Sequence, residues 1–279
     1  MSDRMIQEII ERALAEDIGS GDVTTRSTID PEAEGDAVIV AKEDFVLAGY
    51  ETFLSVFLAL DPSIDYSVDY VDGDKVEKGA TIVGIGGPLR VLLTGERVAL
   101  NLLQRMCGIA TLTAKYVEAV KGTNTVILDT RKTTPGLRVL EKYAVTVGGG
   151  KNHRTGLYDG ILIKDNHIAA AGGIKKAVKA ARERAPHTLK VEVECETLAD
   201  VKEALTAKAD MIMLDNMDLK AMKEAVGFIK GRVLVEASGN MGIERVRSVA
   251  RTGVDFISVG ALTHSAPAVD ISMKVKGRR

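Results

Sequence analysis

Residues 190–214, KVEVECETLADVKEALTAKADMIML, contain one complete strand–helix–strand repeat. An apolar run at 190–195 is followed by helical spacing over 197–207 and by a second apolar run at 210–214. Two buried strands joined by a helix of this length run parallel and are connected by a right-handed crossover. The stretch therefore predicts a parallel sheet covered by helices.

The same rhythm extends in both directions from this repeat. It predicts further strands at 125–129, 160–164, 232–237 and 255–259, and further helices at 136–146, 173–185, 218–229 and 242–251. A possible seventh strand lies near 144–148. Six or seven strands are fewer than the eight of a complete α/β barrel.

The N-terminal part of the chain has a different pattern. A helix over 4–17 and a polar loop over 18–35 are followed by short strands, with a second helix at 50–60. The predicted strands are 36–42, 45–48, 65–71, 80–85 and 89–94. Their short connections favour antiparallel pairing. A long helix over 94–122 follows, which Gly108 could break, and segment 268–275 could rejoin the N-terminal sheet.

Composition narrows the class of protein. Of 279 residues, 46% are apolar and 27% are charged, which is ordinary for a soluble globular protein. The chain starts with a charged amphipathic pattern rather than a signal peptide, so we expect a cytoplasmic protein that does not bind a membrane. A net charge of −2 argues against a nucleic-acid partner. Cys107 and Cys195 are expected to be buried thiols.

Polar groups follow nearly every predicted strand of the parallel sheet. In a parallel barrel, ligands bind at the carboxyl ends of the strands. The groups at these ends are Asp129–Thr133, Lys164–His167, Glu194, Asp215–Asn216, Glu236–Asn240 and Gly260–His264. The polar positions between Arg131 and Lys164 are strongly basic. A basic cleft on a nearly neutral protein predicts a small polyanionic substrate.

These groups differ in their chemistry. Arg131, Lys132, Arg154 and Lys164 can bind carboxylates or phosphates. Glu194 and Asp215 can accept hydrogen bonds from ribose hydroxyls or hold Mg²⁺ through oxygen. The small residues of Ser238–Asn240 and Gly260–Leu262 allow backbone N–H groups to approach an anion. Together they indicate a phosphorylated sugar and an anionic co-substrate.

Several stretches in order along the chain resemble one enzyme family, quinolinate phosphoribosyltransferase, also called carboxylating nicotinate-nucleotide pyrophosphorylase. DTRKTTPGLR (129–138) and HR…KDNH (153–167) are the most specific motifs. The other matching stretches are EDIGSGDVTT (16–25), GERVALNLLQRMCGIAT (95–111), VEVECET (191–197), IMLDNM (212–217), VEASGNM (235–241) and SVGALTHSAPAVDISMK (258–274).

The resemblance implies a fold, an activity and an assembly. The fold would be an N-terminal α/β sandwich, residues 1–108 joined by 268–279, beside an incomplete parallel α/β barrel of about seven strands, residues 109–267. The enzyme, a pentosyltransferase, would transfer the phosphoribosyl group of PRPP to quinolinate. Nicotinate mononucleotide for NAD biosynthesis, pyrophosphate and CO₂ would be the products. It would require Mg²⁺ and form a homodimer or an assembly of dimers.

The resemblance also implies residue roles. Arg97 would reach the site of the neighbouring subunit, and Arg131, His153, Arg154 and Lys164 would surround the quinolinate carboxylates. Lys132, with Thr133 beside it, would meet a PRPP phosphate. Glu194 and Asp215 would contact the ribose hydroxyls or the Mg²⁺–pyrophosphate, and Lys132, Lys164, Glu194 and Asp215 form the expected catalytic set. The 5-phosphate would be held by Ser238, Gly239, Asn240, Gly260, Ala261 and Leu262. Asn240 stands where many relatives have Gly, which leaves its side-chain role open.

Three other functions are compatible with parts of the pattern. A Schiff-base aldolase could use Lys164 as its amine nucleophile, but this leaves the surrounding cations unexplained. A related phosphoribosyltransferase could act on another pyridine or azole acid. A non-catalytic metabolite-binding protein would release no pyrophosphate.

Overall fold

A computed structural model describes residues 3–277 and groups the chain into two compact units. Within the described range, the first unit comprises residues 3–114, 133–149 and 263–277, and the second comprises 115–132 and 150–262. Residues 1, 2, 278 and 279, which fall within the predicted N-terminal domain, lie outside the described range. The domain boundaries 1–108 with 268–279, and 109–267, stay a prediction.

The first unit contains a four-stranded antiparallel sheet and a two-stranded one. Its elements are α1 (Asp3–Ile18), α2 (Val23–Thr28), β1 (Glu34–Ala41), β2 (Phe45–Val46), α3 (Tyr50–Leu60), β3 (Asp65–Val68), β4 (Lys75–Val76), β5 (Thr81–Pro88), most of α4 (Leu89–Ala119), then α5 (Arg138–Val147) and β12 (Ile271–Gly277). The larger sheet has the order β12-β1-β5-β3, and β2 pairs with β4. Pairing of β12 with β1 confirms that the last segment rejoins the N-terminal sheet.

The second unit contains a six-stranded parallel sheet. Its elements are β6 (Val126–Leu128), β7 (Ile161–Ile163), α6 (Asp165–Ala171), α7 (Ile174–Arg184), β8 (Val191–Cys195), α8 (Leu198–Thr206), β9 (Met211–Asp215), α9 (Leu219–Ile229), β10 (Leu234–Ser238), α10 (Ile243–Ala250), β11 (Phe256–Ser258) and the start of α11 (Ala261–His264). The sheet order is β6-β11-β10-β9-β8-β7. All six predicted strands are confirmed, and the incomplete barrel is confirmed with them.

The seventh position beside β6 is occupied by an irregular segment. Lys151 forms a parallel bridge with Leu128, and its N–H donates to Ile127 O at 2.9 Å. The predicted strand at 144–148 is wrong, because these residues belong to the end of α5 or follow it. Leu140, Ala144 and Val145 are buried at helical spacing, and this amphipathic pattern outweighs the β-branched residues around Val147.

Three other local predictions differ from the structure. Residues 89–94 begin α4 instead of forming a strand, since Pro88 ends β5 with a backbone angle suited to a helix start. The polar loop 18–35 contains α2, whose first turn is capped where Thr25 N–H donates to Asp22 Oδ1 at 2.9 Å. α4 continues through Gly108 without ending.

The two cysteines lie in the interior of the protein. Cys107 and Cys195 are both buried and unpaired, and burial raises the pKa of each thiol to about 12. The prediction of two buried thiols is confirmed. Among the helices that the structure describes, none combines the length and apolarity that a membrane span requires.

Candidate active site

The carboxyl ends of neighbouring strands β7 and β8 carry a close ion pair. Lys164 follows β7, and its Nζ lies 2.8 Å from Glu194 Oε2 on β8. The Glu194 side chain is 10% exposed, whereas that of Lys164 is 46% exposed. An ammonium group has three hydrogens to donate. Lys164 can therefore bind an incoming anion while it remains paired with Glu194.

The next two strands place further predicted residues at the same edge. Asp215 ends β9 and is the register partner of Ser238, which ends β10. Asn216 Nδ2 donates to Asp215 Oδ2 at 2.7 Å, and Asn216 N–H donates to Ser238 O at 3.0 Å. The pairing of strands thus brings Glu194, Asp215 and Ser238 to one edge, as the order of motifs predicts.

In the turn after β10, the backbone lies close to Asn216. Gly239 has φ +90°, and a Cβ at this position would collide with Asn216. Asn240 has φ +50°, and its Nδ2 donates to Asn216 Oδ1 at 3.4 Å. The Asn240 side chain thus contacts the neighbouring turn.

The segment after β11 contains the other predicted phosphate-binding residues. Gly260 and Ala261 are half-buried, and Leu262 is buried. Leu262 N–H donates to Val259 O at 3.4 Å. β11 pairs with both β6 and β10, so this segment follows a central strand at the carboxyl edge of the sheet.

His153 and Arg154 lie in the segment that continues from the Lys151 bridge. Asp129, a buried residue just after β6, accepts the backbone N–H of His153 at 2.8 Å. The ring Nε2 lies 3.2 Å from Glu192 Oε2 and 3.6 Å from Glu236 Oε2. These contacts fix the His153 ring against β8 and β10.

Arg154 is near Arg131. Burial, followed by the positive charge of Arg131, lowers the pKa of Arg154 below its ordinary value. The Arg154 guanidinium also donates from Nη1 to Gly160 O at 3.1 Å. Two guanidinium groups in this proximity favour a ligand with more than one negative charge.

A cavity of about 590 Å³ lies next to this segment. His153, Arg154, Glu192 and Glu236 contribute to its lining. Both glutamates are buried, and burial together with the charge of Glu192 raises the pKa of Glu236 to about 8. Ile161, Met211 and Phe256, which begin β7, β9 and β11, also line this cavity, so it extends to the amino ends of the strands, whereas Lys164 and Glu194 lie at the carboxyl ends.

Three remaining predicted residues have local contacts. Arg97 and Thr133 belong to the first unit, where Arg97 Nη2 lies 3.9 Å from Glu96 Oε1 and Thr133 Oγ1 accepts from Arg138 Nε at 2.8 Å. Lys132 belongs to the second unit, is exposed and donates its N–H to Thr130 Oγ1 at 3.0 Å. These contacts leave their predicted roles as predictions.

Sequence reasoning did not assign roles to Asp129, Glu192 and Glu236. Each is buried, and each lies in or directly after a strand with apolar neighbours. Buried carboxylates are rare unless they have partners. An acidic residue inside an otherwise apolar strand, as in VILD, VEVEC and LVEAS, is therefore the sequence feature that could have indicated these three residues.

The chain matches two family models along most of its length. Residues 22–107 match the model of the quinolinate phosphoribosyl transferase N-terminal domain, and residues 109–274 match that of the C-terminal domain. The chain is 46% identical over 275 residues to a Bacillus subtilis (strain 168) protein named probable nicotinate-nucleotide pyrophosphorylase [carboxylating], covering 99% of this chain and 95% of that protein.

Two solved structures are similar over nearly the whole chain. NadC from Streptococcus pyogenes has a TM-score of 0.96 and 44% identity, covering 100% of this chain and 99% of that one. The nicotinate-nucleotide pyrophosphorylase from Francisella tularensis has a TM-score of 0.95 and 41% identity, covering 99% and 98%.

Proposed function

Because the chain belongs to the quinolinate phosphoribosyltransferase family, we propose how its residues perform the reaction of that family. The protein is an enzyme that transfers the phosphoribosyl group of PRPP to quinolinate with loss of CO₂, in NAD biosynthesis. The observation that carries the proposed roles is the arrangement of the second unit, in which Lys164 pairs with Glu194 at the ends of neighbouring strands and Arg154 lies close to Arg131.

Quinolinate binding is assigned to the cations of this unit. Arg131, Arg154 and Lys164 hold the two carboxylates of quinolinate, and His153 completes the pocket. Lys164 is in an ion pair with Glu194, which suits a cation that binds an anion better than the uncharged amine of a Schiff-base enzyme. The aldolase alternative is therefore disfavoured.

PRPP binding is assigned to the strand ends and the small-residue turns. Lys132, with Thr133 beside it, meets a phosphate of PRPP, and Glu194 and Asp215 accept hydrogen bonds from the ribose hydroxyls. The turns hold the 5-phosphate through backbone N–H groups, because small residues allow close approach. Their members are Ser238, Gly239, Asn240, Gly260, Ala261 and Leu262.

Mg²⁺ fits the chemistry of this donor set. Mg²⁺ binds through one or two carboxylates together with substrate phosphates, and Glu194 and Asp215 offer carboxylate oxygens at neighbouring strand ends. When bound with PRPP, Mg²⁺ neutralises charge on pyrophosphate as it departs. The protein residues position the two anionic substrates and bind the pyrophosphate through Lys132.

The reaction needs no nucleophile from the protein. Pyrophosphate leaves the anomeric carbon with oxocarbenium character, and the pyridine nitrogen of quinolinate forms the new bond. The nitrogen is then positively charged and stabilises the electron pair left at C2 when the adjacent carboxylate departs as CO₂. A proton then replaces CO₂ at C2. Catalysis rests on positioning and charge stabilisation.

The decisive experiment measures pyrophosphate and CO₂ release from PRPP and quinolinate with Mg²⁺. We expect both products in equal amounts, and activity should be lost with EDTA and return with added Mg²⁺. Release of pyrophosphate with a different pyridine or azole acid, and none with quinolinate, would favour the related phosphoribosyltransferase instead.

The assembly and location of the enzyme complete the proposal. A homodimer, or an assembly of dimers, in which Arg97 reaches the site of the other subunit agrees with the exposure of the Arg97 side chain, 60%. Two buried free thiols suit the reducing cytoplasm. Sedimentation velocity tests the dimer, and cell fractionation tests the location.

A further inference from the structure

Three side chains meet inside the second unit, away from the Lys164–Glu194 pair. His153 Nε2, Glu192 Oε2 and Glu236 Oε2 all lie within 4.8 Å of one another. Glu192 is on β8 and Glu236 is on β10, with β9 between them in the sheet. Curvature of the sheet therefore brings both carboxyl groups to the Nε2 edge of the His153 ring.

The backbone fixes which ring nitrogen carries the proton. Arg154 N–H donates to His153 Nδ1 at 2.7 Å, so Nδ1 must offer its lone pair. The neutral ring then has its hydrogen on Nε2, facing the two carboxyl groups. A metal ion would need the lone pair of Nε2, which this tautomer does not offer. The arrangement thus favours a hydrogen-bonded cluster over a metal site.

The cluster has more negative charge than its donors can satisfy. Within residues 4–276, whose side chains the structure describes, Glu192 Oε1 and both oxygens of Glu236 have no hydrogen-bond partner. The Glu236 side chain is fully buried, and that of Glu192 is 6% exposed. Two buried carboxylates that share one ring N–H group and the nearby Ser258 hydroxyl cannot both stay charged at low cost. The more deeply buried group, Glu236, is the one that holds a proton.

The cluster holds the segment that carries Arg154. His153 is tied by its N–H to Asp129, by Nδ1 to Arg154 N–H and by Nε2 to Glu192, while Arg154 is tied to Gly160 O. In the sheet, Glu236 is the register partner of Met213 and Phe256. Both direct neighbours of Glu236 in the sheet are apolar, so packing against them does not call for an acid at this position.

We propose that Glu236 is a positioning residue for quinolinate. As an uncharged acid it donates its O–H to Glu192 and so orients that carboxylate toward His153 Nε2, 3.2 Å away, which fixes the His153 ring and thereby the Arg154 guanidinium at the quinolinate carboxylates. The inference rests on the proposed function, because quinolinate is the ligand that Arg154 holds. Glu236 itself touches no substrate, and its effect passes through His153.

Two substitutions at this position separate the acid from its packing. Glu236→Gln keeps the size and polarity of the uncharged acid, whereas Glu236→Leu keeps the size and removes the polar group. In steady-state kinetics we expect Glu236→Gln to stay within about threefold of wild type, and Glu236→Leu to raise the KM for quinolinate by about tenfold or more. The KM for PRPP should change by less than about threefold in both.

The KM values for quinolinate and PRPP also provide the control and the outcomes that would contradict the proposal. Met213→Leu alters the neighbouring apolar position and should leave both KM values unchanged. If Glu236→Leu does not fold, Glu236→Asp, which draws the carboxyl back by one methylene, should show the selective rise in quinolinate KM. An equal rise in both KM values, an unchanged quinolinate KM, or a Glu236→Gln variant as impaired as Glu236→Leu would each overturn the proposal.

Failure of the proposed function and binding of a metal ion would each give a result different from those above. Wild-type protein that releases neither CO₂ nor pyrophosphate would refute the proposed function and, with it, this inference. Tight binding of one equivalent of Zn²⁺ or Mn²⁺ by the wild type and not by Glu236→Gln would replace the hydrogen-bonded cluster with a metal site.

Discussion

Arg131 and Arg154 are close enough for the charge of one to lower the pKa of the other, while Glu192 and Asp159 act in the opposite direction. An anion bound between the two guanidinium groups would reduce the repulsion further. We expect Arg131→Ala or Arg154→Ala to raise the KM for quinolinate. A hydrogen bond between charged groups contributes about 1.5–3 kcal/mol, which corresponds to roughly a 10- to 100-fold change. Steady-state kinetics with varied quinolinate provide the measurement. Arg184→Ala, at an exposed position on α7, is the control, and unchanged quinolinate kinetics would remove the substituted arginine from the site.

Substrate selectivity follows from the same cations. Nicotinate lacks the 2-carboxylate of quinolinate, so one positive group of the pocket would stay unpaired in a half-buried site. An unsatisfied polar group costs on the order of 1–3 kcal/mol, and more when it is charged. We therefore expect kcat/KM for nicotinate to be lower by at least about tenfold. Comparable turnover of the two acids in a pyrophosphate-release assay would contradict this account of the pocket.

Glu236 makes the stability of the protein depend on pH. Its pKa is raised from 4.5 to about 8, first by burial and then by Glu192, against the opposing effects of His153 and the nearby Ser258 hydroxyl. The folded state then holds a proton that the unfolded state loses, so stability is fully present below pH 4.5 and falls as pH rises toward about 8.

Urea denaturation of the wild type and Glu236→Gln tests this dependence. Glutamine does not titrate, so the stability of the variant relative to wild type should increase between about pH 5 and about pH 8. A difference that stays constant over this interval would show that Glu236 is charged in the folded protein.

The candidate site residues that the sequence predicted are those whose chemistry is unusual for their local position. Lys164 and Asp215 follow apolar strands, where a charged group is easily recognised. Glu192 and Glu236 were harder to identify because they lie within strands, and their importance depends on meeting His153, which comes from a distant part of the chain. Sequence periodicity places a residue on a strand, but it does not show which residues from separate strands meet.

At the scale of the element, α4 depends on a glycine that would ordinarily weaken a helix. A Cβ at Gly108 would meet the carbonyl oxygen of Pro267. Gly227 lies within α9 and has open space around its Cα. In most helices, Gly→Ala stabilises by roughly 0.5–1 kcal/mol.

These two glycines form a matched pair for denaturation experiments. We expect Gly227→Ala to increase the free energy of unfolding, and Gly108→Ala to lower it because the backbone must move to admit the methyl group. An increase for both variants would mean that the contact with Pro267 is easily relieved.

The elements that the sequence predicted well are those in which the apolar residues follow one clear spacing, either that of a strand or that of a helix. The repeats from β8 to β11 have apolar strands and amphipathic helices of ordinary length, so their types and approximate positions were predictable. Residues 89–94 and 144–148 contain apolar and β-branched residues that suit either a strand or a helix. In both segments the helix formed because it continues an amphipathic helical pattern along its neighbours.

At the scale of the whole molecule, the assembly decides whether one chain by itself contains a complete active site. If Arg97 acts in the site of the other subunit, Arg97→Ala and Lys164→Ala should complement each other in a mixed dimer. One site of such a dimer has both defects and the other has neither. Random reassortment of equal amounts should restore activity to about a quarter of wild type. Absence of complementation, with mixed dimers demonstrated by native mass spectrometry, would place Arg97 outside the partner's site.

The bridge at Lys151 has a consequence for how the second unit tolerates change. The strands β6 and β7 do not pair with each other, and the stretch that lies along β6 is the one that continues into His153 and Arg154. Extension of the sheet beyond β6 and the proposed recognition of the substrate thus share one short peptide. Quinolinate should slow amide hydrogen exchange at residues 151–154, whereas lengthening this peptide by a single residue should disturb architecture and chemistry together.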